Sequence, residues 1–356
     1  MQGRFITVSS ALETMNSKNI SLIMVICIFI SSCSSSNNQQ SSLAQPIYGF
    51  DGLKIEFAKG LSPKVFEKSS FPLILKISNQ GTYTINENDK AVLSIGTEKD
   101  YIPSFEFLPS DARIETSINP NQRMFALEGR SPFNPRGEEI YVGLNAKTSK
   151  LDAQSEKRVS TLTASLCYRY KTVLNTDACI DTDIVGIRTG KKVCTVKDIV
   201  FPNGQGAPIA VTKIEQQIIP QQDSVKQQFL IYVENKGNGH PLNPSNYLSI
   251  CDSQDFSPKL WNVAFLKAFR VGGGPEGEQM ICCPNINGEC IETETDPEKM
   301  AGFIRLKDNK DFVRCTFAKG VGFDKDTFIS PIKIEIEYGY SQTISTDVVI
   351  QRPIKY

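Results

Sequence analysis

Leu162, Ala164, Leu166, Tyr168 and Tyr170 occupy alternate positions, and so do Ile332, Ile334, Ile336, Tyr338 and Tyr340. The residues between them are mostly polar or charged: Thr163, Ser165 and Arg169 in one stretch, Lys333, Glu335 and Glu337 in the other. Alternation of this length predicts a strand with one buried face. The match runs on without a gap, Thr176-Asp177 against Thr346-Asp347 and Ile180 against Ile350. The short polar break after each Tyr-x-Tyr, followed by more β-formers, predicts a hairpin in each copy. Two copies predict two related domains, 48–190 and 191–356, joined near Gly190-Lys191-Lys192.

Shorter alternating runs fill both. In the first, Leu53 to Phe57, Phe71 to Ile77, Ala91 to Ile95, Tyr101 to Leu108, Arg123 to Leu127 and Ile140 to Leu144 read as strands. Pro72 stands near a strand start, where a missing N–H is tolerated. The polar stretch from Pro109 to Gln122 reads as a loop. In the second, Ile209 to Ile214, Phe229 to Val233 and the run from Trp261 to Val271 read the same way, as do Phe328 to Tyr340 and Thr346 to Ile350. Many short strands with turn residues between them predict an all-β chain of two tandem antiparallel β-sandwiches. A second repeated block supports this: Leu73 to Asn79-Gln80-Gly81 matches Phe229 to Asn235-Lys236-Gly237. The second copy is longer between these blocks, and the loops around 237–257 and 272–295 are the expected places for the extra residues.

The amino-terminal 33 residues differ. Lys18 precedes an apolar run from Leu22 to Ile30, too short to span a bilayer and suited to a secretory signal. Ile30-Ser31-Ser32-Cys33 resembles the lipobox of prokaryotic lipoproteins. The resemblance implies cleavage before Cys33 and lipid on its thiol, with 1–32 as signal peptide and translation starting at Met15. The alternatives are an ordinary signal with an incidental cysteine, or an uncleaved short anchor. Residues 33–47, rich in Ser, Asn and Gln, read as a flexible tether.

The two blocks together, a strand ending in Asn-x-Gly and a late Tyr-x-Tyr strand, resemble the immunoglobulin-like modules of prokaryotic surface proteins, including CARDB-type adhesion modules. The cysteine placement and Gly204-Gln205-Gly206-Ala207-Pro208-Ile209 are similar to uncharacterised archaeal surface proteins. The resemblance implies β-sandwiches used for display, adhesion or assembly, and it carries no catalytic residue.

Charge adds an exclusion. The chain of 356 residues has 39 Lys+Arg and 39 Asp+Glu, so no basic excess points to nucleic acid. Cysteine placement adds a compartment. Beyond Cys33, Cys167 and Cys179 fall in the first domain and Cys194, Cys251, Cys282, Cys283, Cys290 and Cys315 in the second. Even counts in an exported chain predict disulfides local to each domain. Cys167 and Cys179, one on each arm of the expected hairpin, are expected to pair; the pairing of the other six stays open, except that adjacent Cys282 and Cys283 are poorly placed to join each other. Zinc at Cys282, Cys283 and Cys290 is the alternative, but Cys-Cys-x6-Cys lacks the spacing of structural zinc sites.

Catalytic signals are sparse. His240 is the only histidine, in a turn-rich Gly-Asn-Gly-His-Pro, and no Gly-x-Ser-x-Gly supports a triad. Gly272-Gly273-Gly274-Pro275 lacks the Lys-Ser/Thr ending of a phosphate loop. Asp308 to Asp311 and Asp324 to Asp326 lack the calcium-loop pattern. Paired carboxylates for glycoside cleavage would be invisible in sequence. The Tyr-x-Tyr pairs read as core, ring buried and hydroxyl at the rim, rather than as a binding platform. The expectation is a non-enzymatic protein without cofactor or metal, held to the extracytoplasmic face of the cell membrane by lipid on Cys33, with an unknown envelope protein or polysaccharide as partner. A carboxylate enzyme acting on envelope polysaccharide and a subunit assembling through sheet edges are the alternatives.

Overall fold

The computed structural model describes residues 47–59, 64–109, 111–253, 257–272, 278–283, 302–317 and 319–353. The expected signal segment, Met15, Cys33, nearly all of the tether, Cys290 and most of the 272–295 loop lie outside these. The chain is all-β. Its first half holds β1 (Leu53–Phe57), β2 (Lys64–Phe66), β3 (Ser70–Asn79), β4 (Ala91–Thr97), β5 (Ser104–Phe107), β6 (Ile114–Thr116), β7 (Gln122–Phe125), β8 (Glu139–Lys147) and β9 (Lys157–Ile180). The second holds β10 (Ile199–Val200), β11 (Ile209–Pro220), β12 (Ser224–Asn235), β13 (His240–Leu242), helix α1 (Tyr247–Ser253), β14 (Val263–Val271), β15 (Glu278–Cys283), β16 (Phe303–Arg305), β17 (Lys310–Phe317), β18 (Val321–Gly322) and β19 (Phe328–Gln351).

The expected hairpins do not form. β9 and β19 are each a single strand of 24 residues, roughly 80 Å when extended. The polar stretch Asn175-Thr176-Asp177 contains neither Gly nor Pro, and alternation resumes beyond it, with Leu174, Ala178 and Ile180 buried. Polar residues there face outward on a strand instead of turning it. The two strands pair antiparallel along their whole length, from Phe328 opposite Ile180 to Gln351 opposite Lys157.

That register is set by the repeat. Tyr338 lies opposite Tyr170 and Tyr340 opposite Tyr168, while Tyr338 is the counterpart of Tyr168 and Tyr340 that of Tyr170. Arg169 faces Gly339, its own counterpart. The halves are therefore related by a local two-fold axis through this pair, as in an isologous dimer interface. Symmetry extends outward: β4 flanks β9 as β14 flanks β19. The order β1-β3-β8-β5 in the four-stranded sheet answers β11-β12-β17-β15, an arm joined to the central strands by pairing of β15 with β14. Inward residues of the central strands and of both flanking arms form one continuous core, and residues 46–356 form one compact unit.

The repeated Asn-x-Gly and Tyr-x-Tyr blocks meet in space. The Tyr170 hydroxyl donates to Asn79 Oδ1 at 3.1 Å, and the Tyr340 hydroxyl to Asn235 Oδ1 at 3.0 Å. Each hydroxyl also accepts a backbone N–H, from Tyr83 at 3.3 Å and from Gly239 at 2.9 Å. Each asparagine oxygen accepts the amide of the following glycine, Gly81 at 3.2 Å and Gly237 at 3.3 Å. A Cβ on Gly81 would collide with the Tyr170 hydroxyl, and one on Gly237 with that of Tyr340, which explains the glycine. The hydroxyls lie inside the core, not at its rim. Burial drives the Tyr340 hydroxyl up to about 12 and raises that of Tyr170 as well. Links across the axis are also duplicated: Thr172 donates to the Ile209 carbonyl at 2.5 Å, and its counterpart Gln342 to the Leu53 carbonyl at 2.7 Å.

The expected Cys167–Cys179 bridge is absent. Both residues lie on β9, 12 positions apart, a separation of roughly 40 Å along an extended strand. Cys167 is joined instead to Cys251, Cys179 to Cys194 and Cys282 to Cys315. The first two cross the boundary expected at 190/191, so pairing is not local to each half. Cys282 and Cys315 lie directly opposite on β15 and β17, with Cα atoms 4.0 Å apart. Cys283 is also disulfide-bonded.

Because the two hydroxyl–asparagine contacts are equivalent, Tyr170→Phe and Tyr340→Phe should each cost about 1–3 kcal/mol by stranding buried partners. Denaturant melts should show one shared transition moved by similar amounts; two separate transitions, each moved by one variant only, would contradict the shared core.

Candidate functional site

Among the described residues, the second half departs most from the two-fold pattern in one connection. The connection from β3 to β4 takes 11 residues, 80–90, whereas the equivalent one from β12 to β14 takes 27, 236–262. The extra length expected around 237–257 is here. The connection after β14, residues 272–277, has the same 6 residues as its counterpart, 98–103. The insertion carries β13 and α1, a helix that alternation did not signal. Leu242, Tyr247 and Ile250 form a small second core, with Cys251, Leu260 and Trp261 packed against it.

The insertion folds onto the two-fold axis. A Cβ on Gly339 would lie 2.7 Å from Tyr247 Cβ, so the counterpart of Arg169 has to be glycine. The Tyr247 hydroxyl, which burial pushes up to about 12, donates to the Lys90 carbonyl at 3.2 Å. The Cys167–Cys251 bridge ties the insertion to β9. Beside it runs a ladder of ion pairs: Arg169 with Asp89 at 3.2 Å and Glu337 at 3.0 Å, and Lys171 with Glu337 at 3.1 Å and Glu335 at 3.3 Å.

A recess opens at the foot of the insertion because a contact made in the first half is wedged apart in the second. In the first half Ile85 and Leu127 exchange two backbone hydrogen bonds, at 2.9 and 3.0 Å. By the alignment of flanking strands their counterparts are Pro241 and Leu306. Pro241 has no N–H to give. Asn262 stands between them, its amide donating to the Pro241 carbonyl at 2.8 Å and its carbonyl accepting the Leu306 amide at 2.8 Å. To do so Asn262 takes a left-handed φ of 58°, which asparagine tolerates better than most residues. The gap is a recess of about 820 Å³ lined by His240, Pro258, Trp261, Asn262, Arg305, Leu306, Lys307 and Asp308, within the size range of ligand pockets.

Its walls are held from behind. The His240 and Trp261 rings meet edge to face, with centroids 6.1 Å apart. The Arg305 guanidinium donates to the carbonyls of Pro258, Trp261 and Lys259 at 3.1, 3.4 and 3.5 Å, fixing the turn that carries Trp261. Asp308 and Asn309 both have positive φ, 50° and 64°, as a two-residue type I′ hairpin turn requires. Sequence alone puts His240 on a loop and Trp261 in a half-buried strand, with nothing to join them. The signal available was that the only histidine and the only tryptophan both lie in the stretch lengthened in the second copy.

Among the described residues, the other sequence candidates do not assemble into a catalytic set. A second, smaller recess of about 340 Å³ is lined by Asn175, Thr176, Asp177, Gly272, Pro331, Ile332 and Lys333. Each recess holds one carboxylate, Asp308 or Asp177, so neither presents the facing pair that glycoside cleavage needs. No group of three or more metal-ligating side chains comes together among the described residues, and no described helix is long and apolar enough to cross a membrane.

No known protein family matches the chain, and no curated protein matches it. Among solved structures it is similar to a biofilm-associated protein BSP domain, at 9% identity and a TM-score of 0.18. The alignment covers 91% of this chain and 54% of that one, so the chain spans about half its length. A likeness this faint fixes neither fold nor function.

Burial raises the Glu337 carboxyl, but hydrogen bonds from Arg169 and Lys171 outweigh it and hold the group below the ordinary carboxylate range. Its stabilising contribution is thus complete above the unfolded value, about 4.3, and is lost as pH falls through the lower folded value. Glu337→Gln should flatten the acid limb of stability against pH below about 4.3; an unchanged acid limb would show that the ladder does not contribute. Non-reducing peptide mapping should recover Cys167 with Cys251 and Cys179 with Cys194, and removing the latter bridge should cost about 3 kcal/mol.

Proposed function

We propose that this is a non-enzymatic lipoprotein of the cell envelope, anchored through lipid on Cys33 at the extracytoplasmic face, that presents a rigid β-body for binding or adhesion. The observation that carries the binding part is the recess at the inserted segment. It is the place where the second half abandons the symmetric packing of the first, and its aromatic walls are fixed by hydrogen bonds and a second small core. Oxidised cysteines fit an exported chain. The lipobox-like Ile30-Ser31-Ser32-Cys33 and the polar tether after it support the anchor.

Assembly by strand addition is the weaker reading. The sheet ends are short: β10 has 2 residues, β6 has 3, β5 has 4 and β1 has 5. Short edges give an incoming strand little to pair with.

In the producing cell, Cys33→Ser should shift the protein from the membrane to the soluble fraction or leave its signal uncut, since two acyl chains anchor stably where one does not. Retention of a processed Cys33→Ser protein at the membrane would refute lipid anchoring. For binding, Trp261→Ala should weaken attachment of purified protein to isolated envelopes while leaving the melting transition within a few degrees, because the ring lies at the recess and outside the main core. Unchanged attachment would refute the recess as the binding surface.

A further inference from the structure

We propose that the recess binds an acidic saccharide, with a sugar ring against Trp261 and its anionic substituent on Lys307; this rests on the binding reading above and adds the ligand class.

The chemistry of the walls leads to a saccharide. A sugar offers an apolar C–H face and a rim of hydroxyls. The recess offers the Trp261 ring, backed by Leu242 and Tyr247, a floor at buried Leu306, and a rim of His240, Asn262 and Asp308. An amphipathic aromatic beside polar groups suits such a ligand better than a purely apolar one. A peptide adding through its backbone has no free edge here. β13 is paired with β19 on one side, and Leu242 bridges to Trp261 on the other. The Pro241 carbonyl and the Leu306 amide are both taken by Asn262.

Charge leads to an acid. On the seam Lys171 pairs with Glu335 and Glu337, and Lys333 with Glu335. At the recess the pattern changes. Lys307, its bridge partner Lys310 and neighbouring Lys259 are all exposed, and none makes an ion pair among the described residues. Of the three, Lys307 lines the recess beside Asp308; Lys310 lies opposite Glu234 on β12, and Asp311 receives the Arg305 amide at 3.1 Å. A lysine at an aromatic recess with no ion-pair partner among the described residues draws an anion and gains charge-assisted hydrogen bonds from it.

Trp261 is the only tryptophan in the chain, so tryptophan emission reports on this site alone. The full-length protein in detergent is titrated with trigalacturonate, a heparin-derived tetrasaccharide, maltotriose, sodium sulfate and triglutamate, with calorimetry in parallel. The expected result is saturable binding of one of the two acidic saccharides with a change in emission, the preferred one showing whether carboxylate or sulfate is the group recognised. Maltotriose should bind about tenfold more weakly, a difference of 1.4 kcal/mol. Raising salt should weaken the acidic ligand. Lys307→Glu should erase the preference over maltotriose without altering the melt, and Trp261→Ala should abolish the heat of binding. Equal binding of sulfate would reduce the site to a simple anion site and overturn the proposal. Equal or tighter binding of triglutamate would assign it to a protein partner, and no binding by either acidic saccharide would also overturn it. Failure of the anchor, read from Cys33→Ser fractionation, leaves this titration unaffected, so the two readings fail separately.

Discussion

A tyrosine hydroxyl sitting where a glycine side chain would be is the constraint on which the rest of the structure depends. Tyr170 and Tyr340 reach from the central strands into the turns that end β3 and β12, where each hydroxyl donates to an asparagine oxygen and accepts from a backbone amide that has no other partner among the described residues. A buried polar group without partners is costly. The contact therefore locks the central layer onto each outer sheet at one register. A slip of one residue along β9 would turn Tyr168 and Tyr170 out to solvent and bring Arg169 into the core.

Symmetry explains what the core shares, and its breaking explains where a site can form. Inward positions on both halves are spent on packing: all four tyrosines of the central pair are buried. The outward face is free to differ. In the first half it keeps Arg169 and its ion pairs; in the second the same position is glycine so that α1 can lie over the axis. One insertion thus covers the seam, reaches the first half through Cys251 and Tyr247, and separates Pro241 from Leu306. The recess is a by-product of that separation, stabilised by an asparagine in a conformation that most residues avoid.

Much of this architecture was legible from alternation, because period-two burial is a local property of the chain. Strand positions, the all-β class and the repeat emerged from Leu162 to Tyr170 and Ile332 to Tyr340. What did not emerge was spatial. Polar Asn175 to Asp177 reads as a turn only if nothing lies alongside, and sequence does not show that β19 pairs with β9 there. The pairing of Cys167 with Cys179 differs for the same reason, since the two face each other only across a hairpin, and both lie on one strand. The extra length in the 237–257 region was visible, but not that it would bring His240, Trp261 and Arg305 to one place.

The seam between β9 and β19 has the geometry of an association between two equal partners, yet both partners belong to one polypeptide. Connecting them replaces a bimolecular equilibrium with an intramolecular one, so the pairing does not weaken on dilution. Covalent linkage also removes the obligation of identity. In an assembly of separate identical chains, any residue placed near the axis appears twice and meets itself; here Arg169 can face Gly339. A single binding feature can therefore sit on the axis of a body whose framework is built in duplicate.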